Sequence, residues 1–269
     1  MAIAAKGSSA VAYKKLSVPE DQFYRASIAR YNPAGKNIAF ITIGKQNVKK
    51  DDYSVYLNIV DPASGKAESI KSFMPSEQMN TSYKERYDKK KDYSGFPQDM
   101  YINSDGSFSI VYEEQSVQYT SSGSYSRTDS KLSKMLITNL DKNGKFLSEY
   151  MVPKEHWIIF TNLSLFYHSD VADAAQELFR GNQYKSFVYL NGSKSNYILF
   201  NDTERNNEVK KDKFAEVQGV ADCDAFSYKL TGNDLFPKRE YAFGEPAKGH
   251  YWHYSQLQIM IKKQIPMLQ

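Results

Sequence analysis

One pattern recurs along this 269-residue chain and limits its fold more than any other feature. A turn rich in Asn, Asp, Gly or Ser is followed each time by a run of alternating apolar residues. The turns lie at 32–35, 103–106 and 191–193, and the runs that follow lie at 37–41, 107–112 and 196–200. Because Gly and Asn supply the positive φ that hairpin turns require, each copy predicts a strand, a tight turn and a second strand.

A second hairpin follows the first in each copy. Its turns lie at 61–66, 141–145 and 231–234, between runs at 53–60 and 67–73, at 135–140 and 146–152, and from 225–230 towards Phe243. Two hairpins in succession make a four-stranded meander, which is the unit of a β-propeller blade. We therefore predict an all-β fold of repeated four-stranded meanders, either β-propeller-like or an open, partial propeller, with one short helix inserted.

The repeats suggest a division of the chain into three parts. We expect an N-terminal extension over 1–24, a β-repeat domain over 25–246, and a C-terminal strand or docking tail over 247–269. The domain would hold about three blade-like units, at 25–75, 96–153 and 157–245. Closed propellers usually need at least four blades, so three units would leave open sheet edges that could pair with further chain or with a second copy.

Three segments do not follow the repeat. Residues 76–92 are charged almost all round, which predicts a solvated helix or a disordered connection. Residues 170–180 have apolar side chains at helical spacing, with a cap before them and Gly181 after them, which predicts an inserted helix. The Ser-, Thr- and Tyr-rich stretch at 113–134 predicts an extended hairpin arm or a mobile loop.

Composition narrows the classes of function. The chain has 21 Tyr and 15 Phe but 2 Trp, which favours strands and binding faces. Its net charge of +4 is spread among interleaved acids and bases, so we do not expect nucleic-acid binding. No apolar run approaches the roughly 20 residues of a membrane span. Residues 1–11 lack the features of a signal peptide, so an exported protein would be present here as a mature form or a fragment.

The segment from Gly106 to Asn206 resembles a family of uncharacterised bacterial proteins that are predicted to be exported and to contain propeller-like repeats. The resemblance rests on residues 104–108 with 113–115, on 136–144 with 152–154, and on 197–202 with Asn206. It covers about 53–243 and implies a secreted or cell-envelope location, with no catalytic residue. The chain departs from the family after Lys154, where Glu155, His156 and Trp157 replace a Gln-containing polar stretch.

The sequence contains no complete catalytic or metal-binding set. It has no Gly-x-Ser-x-Gly elbow, phosphate-binding loop or dinucleotide fingerprint. Cys223 lies between two aspartates, which disfavours a reactive thiolate. His250 and His253 lack an obvious third ligand for zinc. We therefore predict no catalytic residue, no metal site and no cofactor.

Strand-end polar residues and tyrosines are the candidate binding residues. Glu113-Glu114 and Asn201-Asp202 end core strands at equivalent positions, and only one residue of an adjacent pair can face a pocket. The alternative is that these acids accept backbone N–H bonds in the following turn. Tyrosines from 83 to 125 could stack on sugar rings, contact a protein or simply pack in the sheets. The predicted binding residues are Tyr112, Glu114, Tyr119, Tyr125, Asn201, Asp202 and Trp252.

Two functions are compatible with these features. The first is a non-enzymatic cell-envelope or extracellular protein that binds another protein through its β-repeat surface, or its own copy through open sheet edges. The alternative is a carbohydrate-binding module or degenerate glycosidase. The arrangement of the aromatic residues distinguishes them, because a concave pocket favours a saccharide and a flat face favours a protein.

Overall fold

The computed structural model describes residues 2–4, 11–13, 23–45, 53–72, 75–163, 186–192, 194–206, 213–219 and 223–243. Over these residues the chain is mostly β-structure, with one α-helix and three large antiparallel sheets. The prediction of an all-β fold is therefore confirmed. No helix in the described ranges is both long enough and apolar enough to cross a membrane.

Each large sheet is a meander in which consecutive strands are neighbours. Sheet I contains β3 (Phe23–Asn32), β4 (Asn37–Lys45), β5 (Tyr53–Val60) and β6 (Ala67–Ser72). Sheet II contains β7 (Phe96–Ile102), β8 (Phe108–Ser122), β9 (Tyr125–Leu140) and β10 (Phe146–Val152), with β11 (His156–Ile158) also pairing to β9. Sheet III contains β12 (Val188–Asn191), β13 (Asn196–Thr203), β14 (Cys223–Leu230) and β15 (Arg239–Tyr241). The short strands β1 (Ala2–Ala4) and β2 (Val11–Tyr13) form a separate pair.

The predicted hairpins are present in all three sheets. The registers pair β3 with β4, β5 with β6, β7 with β8, β9 with β10, β12 with β13 and β14 with β15. Gly106, in the turn between β7 and β8, has φ +80°, and a Cβ there would lie 2.9 Å from the Cβ of Ala34. The same turn is bound by sheet I, because the Asn32 side-chain amide donates to the Gly106 carbonyl over 2.9 Å.

Sheet II is buried on both of its faces. Phe108, Ile110 and Tyr112 of β8 belong to the core that sheet II shares with sheet I. Val111 and, on β9, Ile137 belong to the core that sheet II shares with sheet III. The alternation follows from the two-residue period of a strand. Sheet II is thus the middle layer of a face-to-face stack.

The sheets approach each other at their first strands. Arg30 of β3 donates to Asp99 of β7 over 2.6 Å. Tyr101 of β7 stacks on Tyr189 of β12, with ring centroids 4.3 Å apart and planes inclined by 18°.

The one described helix, α1 (Glu77–Tyr87), packs into the core between sheets I and II. Ser76 caps it by accepting from the Met79 N–H over 3.0 Å. Met79, Tyr83 and Tyr87 lie four residues apart and are buried, whereas the remaining faces are largely charged and exposed. A solvated helix was one of the two alternatives predicted for 76–92. The structure has a helix here, but three buried side chains anchor one of its faces in the core.

The segment after Glu113 forms the extended arm that was one of its two predicted alternatives. Strands β8 and β9 remain paired as far as Ser122 and Tyr125, and Gly123 turns the chain with φ +60°. The arm is defined here as residues 115–128. The helix predicted at 170–180 and the C-terminal tail predicted at 247–269 lie outside the described residues.

Candidate functional site

Two of the predicted binding residues are not part of the site described below, for different reasons. Tyr112 is completely buried in the core beneath sheet I and α1. Trp252 lies outside the described residues.

Tyr119 and Tyr125 both lie on the arm, where their side chains are 69% and 51% exposed. Val117 is also exposed, and residues 115–126 include no charged side chain. Tyr119 pairs with Thr128 and Ser122 pairs with Tyr125, so the two tyrosines are an odd number of positions apart and lie on opposite faces of the ribbon. The tip of the arm, residues 115–126, is therefore an uncharged ribbon with an aromatic side chain on each face, and Arg127 is the one charged residue of the arm.

Glu114 lines a polar cleft of about 340 Å³ at the base of the arm. It accepts a 2.5 Å hydrogen bond from the Tyr83 hydroxyl, and its burial raises the pKa of the carboxyl group. The second acid in the cleft, Glu155, is held by Lys131, by Lys134 at 3.3 Å and by the Ser133 hydroxyl at 2.8 Å. Lys131 and Lys134 therefore bind the two oxygens of Glu155.

Glu113 points to the other side of the sheet, as expected for the neighbour of Glu114. It forms a 2.6 Å ion pair with Lys154, and both side chains are fully buried. Burial lowers the pKa of Lys154, while Glu113 and Asp202 act in the opposite direction. Lys154 also lies 5.8 Å from the ring centroid of Phe200, so the pair sits in the layer between sheets II and III.

Asn201 and Asp202 are buried at the end of β13. Asp202 accepts from the Arg239 guanidinium over 2.6 Å, from the Asn206 amide over 2.9 Å and from the Thr203 N–H over 2.8 Å. Burial raises the pKa of Asp202 to about 6, although Arg239 and these hydrogen bonds favour the ionised form. The backbone bond is the one expected of a strand-end acid, and the bond to Arg239 gives Asp202 a second role. It fixes Arg239 in place.

Arg239 forms part of the wall of a concave pocket of about 550 Å³, which we call the aromatic pocket. Its volume lies within the range of roughly 300–1,000 Å³ that is usual for small-molecule sites. The walls come from the last turn of α1, the end of β10, and sheet III with its loops. Five aromatic side chains line it: Phe214, Phe226, Tyr228, Phe236 and Tyr241.

The rings of the aromatic pocket are held by other rings. Phe226 lies 4.6 Å from Tyr241, and Tyr87 of α1 lies 5.9 Å from Phe214 and 6.2 Å from Phe236, between ring centroids. Phe214, Phe236 and Tyr241 are only partly buried and so present surface to the cavity. A pocket with rings fixed before a ligand arrives loses little conformational entropy on binding.

Three cationic side chains complete the lining. The Arg239 guanidinium lies 3.5 Å from the Phe226 ring centroid and is neutralised by Asp202. Arg86 lies 4.4 Å from the Phe236 ring centroid, and both Arg86 and Lys238 are exposed. Within the described part of the chain, neither Arg86 nor Lys238 has an ion pair, and no acidic residue lines the pocket.

The sequence pointed to Asp202 but not to the aromatic pocket, whose wall contains Arg239, the partner of Asp202. The signal that could have revealed the pocket is the run from Phe236 to Tyr241, which places two cations between two aromatic residues. Its partners Arg86 and Pro153 are distant in sequence, so spacing could not connect them.

The described residues include no cluster of three His, Cys, Asp or Glu side chains that could hold a metal ion. Cys223 is buried, and His250 and His253 lie outside the described ranges.

Comparison with known proteins gives no match, since no family model, no curated protein and no solved structure is significantly similar to this chain.

Proposed function

We propose that this chain is a non-enzymatic binding protein and that its aromatic pocket binds a carbohydrate. The observation that carries the proposal is the concave arrangement of Phe214, Phe236 and Tyr241, each partly exposed to one cavity. Sugar rings pack their C–H faces on aromatic side chains, while their hydroxyl groups need a small number of polar partners. The exposed side chains of Arg86 and Lys238 supply such partners in the wall of the same cavity.

The state of the buried acids supports binding without catalysis. Glu113 is paired with Lys154, and Asp202 is paired with Arg239, each at 2.6 Å. Both acids lie in the interior and act as partners for cations. Glu113 and Asp202 are two of the three acids, with Glu114, on which the glycosidase alternative depended, and a structural role accounts for these two.

The fold supports a propeller-like arrangement of the three sheets. Neighbouring sheets meet at their first strands, and α1 occupies the core between sheets I and II. Blades that converge on an axis and separate towards the periphery would produce such contacts. The resemblance to exported bacterial proteins supports a secreted or cell-envelope location, where a saccharide ligand would be accessible.

A glycan array probed with the chain tests the proposal. Binding should be found for at least one saccharide class, and Phe236→Ala and Tyr241→Ala should each weaken it roughly threefold to tenfold, since an aromatic contact contributes about 0.5–1.5 kcal/mol. Tyr119→Ala is the matched control, because this tyrosine is exposed on the arm and does not line the pocket. An empty array, or binding that Phe236→Ala and Tyr241→Ala leave unchanged, would contradict the proposal.

The arm favours a second candidate function, which is binding to another protein. Val117, Tyr119 and Tyr125 expose 48–69% of their surface on a ribbon whose residues 115–126 lack charge. Exposed apolar side chains grouped on one element are typical of interaction surfaces. The partner could equally be a second copy of the chain that pairs along an open strand of the ribbon.

Cross-linking of the tagged protein in its native cells, read by mass spectrometry, tests this candidate. The triple variant Val117→Ser, Tyr119→Ser and Tyr125→Ser should lose the partner, whereas Phe236→Ala should retain it. A cross-linked product of twice the chain mass would identify self-association. Recovery of the same partner by the triple variant would rule out the arm.

A further inference from the structure

The charge of the aromatic pocket is unbalanced. Three cationic side chains line it, and Asp202 from behind the wall neutralises one of them, Arg239. Arg86 and Lys238 form no ion pair in the described part of the chain, and both are accessible to solvent. Two positive charges therefore remain beside a cavity that has aromatic walls.

The two unpaired cations come from different elements. Arg86 lies in the last turn of α1, and Lys238 lies in the loop that leads into β15. Arg86 is also held in position, because its guanidinium lies 4.4 Å from the ring centroid of Phe236. A guanidinium that stacks on a ring keeps its edge N–H groups available for a planar anion such as a carboxylate.

We propose that the ligand of the aromatic pocket is an anionic saccharide, whose acidic group lies between Arg86 and Lys238 while its sugar ring packs on the aromatic wall. This inference rests on the proposed function, and it adds the chemical class of the ligand. A neutral sugar would leave both cations without an anionic partner, whereas a carboxylate or sulfate would form charge-assisted hydrogen bonds with them.

Matched ligands and matched variants test the inference. Oligogalacturonates of three to five units are compared with their methyl esters, which have the same rings without the charge, and binding is measured by calorimetry at low and high salt. The acid should bind about tenfold more tightly than its ester, as charge-assisted hydrogen bonds predict, and this ratio should shrink as salt screens the charges. A sulfated oligosaccharide of similar length distinguishes a carboxylate ligand from a sulfate ligand.

The variants Arg86→Met and Lys238→Met keep an unbranched apolar side chain and remove the charge. Each should reduce the preference for the acid over its ester severalfold, and together they should abolish it. Lys142→Met is the control, because Lys142 is exposed in the turn between β9 and β10 and does not line the pocket. Arg86 and Lys238 are exposed, so these variants should fold, which circular dichroism checks.

The outcomes separate the inference from the proposal on which it rests. If acid and ester bind equally, and Phe236→Ala still weakens both, the pocket binds saccharides but the anionic class is wrong. If no saccharide of either charge binds, the proposed function itself fails. Binding of inorganic sulfate that equals the binding of sulfated saccharide would show an anion site without a sugar site and would also overturn the inference.

Discussion

The two halves of the β8–β9 hairpin have opposite environments. At the inner half, residues 108–113 of β8 are buried, and sheets I and III cover its two faces. At the outer half, residues 116–122 of the same strand are exposed. Both halves are paired antiparallel with β9, and the register shifts once, between Glu113 and Gln115.

The difference shows that pairing and burial are separate properties of a strand. Pairing between β8 and β9 continues to the tip because the hairpin satisfies the backbone hydrogen bonds of both strands. On β8, burial stops where the neighbouring strand stops, since β7 ends its pairing at Glu113. On β9, burial continues to Asp129, because β11 pairs with residues 130–132. The inner half should therefore determine stability, and the outer half should be available for contacts.

The largest expected effect comes from the ion pair at the end of the buried half. Lys154→Met leaves Glu113 buried without its cation and should reduce the free energy of unfolding by about 3–5 kcal/mol. The double variant Glu113→Leu/Lys154→Met should recover most of this loss, because replacement of a buried pair by apolar residues is often neutral. Urea denaturation measures both.

The ion pair at the base of the arm provides the matched control. Arg127→Met removes the partner of Asp129, but Asp129 still accepts from the Trp157 indole over 3.1 Å and from the Phe160 N–H over 2.9 Å. Its cost should be smaller, at about 1–3 kcal/mol, because Arg127 is partly exposed and the buried Asp129 keeps these two hydrogen bonds. Equal losses for Lys154→Met and Arg127→Met would show that the two halves of the hairpin do not differ as described.

Truncation of apolar side chains should give the next largest effect. Ile110→Ala opens a cavity in the core between sheets I and II and should reduce the free energy of unfolding by about 2–5 kcal/mol. Val117→Ala, in the exposed half of the same strand, should change it by no more than about 0.5 kcal/mol. Thermal denaturation of both variants at one pH measures the two losses of stability. A loss of more than about 1 kcal/mol for Val117→Ala would show that the outer half also contributes to stability.

The pH dependence of stability should give the smallest of the three effects. The pKa of Asp202 is about 6 in the folded chain, against an ordinary value of 3.8. The folded state therefore takes up this proton first as the pH falls. The stability that Asp202 contributes is fully present below about pH 4 and is lost as the pH rises through 6, with a total on the order of 2–3 kcal/mol.

The free energy of unfolding, measured between pH 4 and pH 7, tests whether stability falls as the pH rises. Asp202→Asn should remove the decline across that window. Asp61→Asn should leave it unchanged, because hydrogen bonds from Ser64 and Ala63 lower the pKa of Asp61 and place its titration below pH 4. If stability instead rises with pH in the native chain but not in Asp202→Asn, the pKa of Asp202 is lowered by folding and the prediction is wrong.

The sequence was sufficient for features that depend on neighbours along the chain. Turn residues and alternating apolar runs located the hairpins of all three sheets, and they included an extended arm among the alternatives for 113–134. They also included, as one of two alternatives for Asp202, a strand-end acid that accepts from the following backbone N–H. These are contacts between residues close in sequence, for which turn chemistry and a period of two are direct evidence.

Only the tertiary structure decided which faces are covered. The composition of α1 is that of a solvated helix, yet Met79, Tyr83 and Tyr87 anchor it between two sheets. The partner of Glu113 lies 41 residues away, and the partner of Asp202 lies 37 residues away. The aromatic pocket likewise unites α1 with sheet III. Strand patterns specify how a sheet forms, but the stacking of sheets depends on side-chain shape and charge across long sequence separations, and a single sequence does not record those pairings.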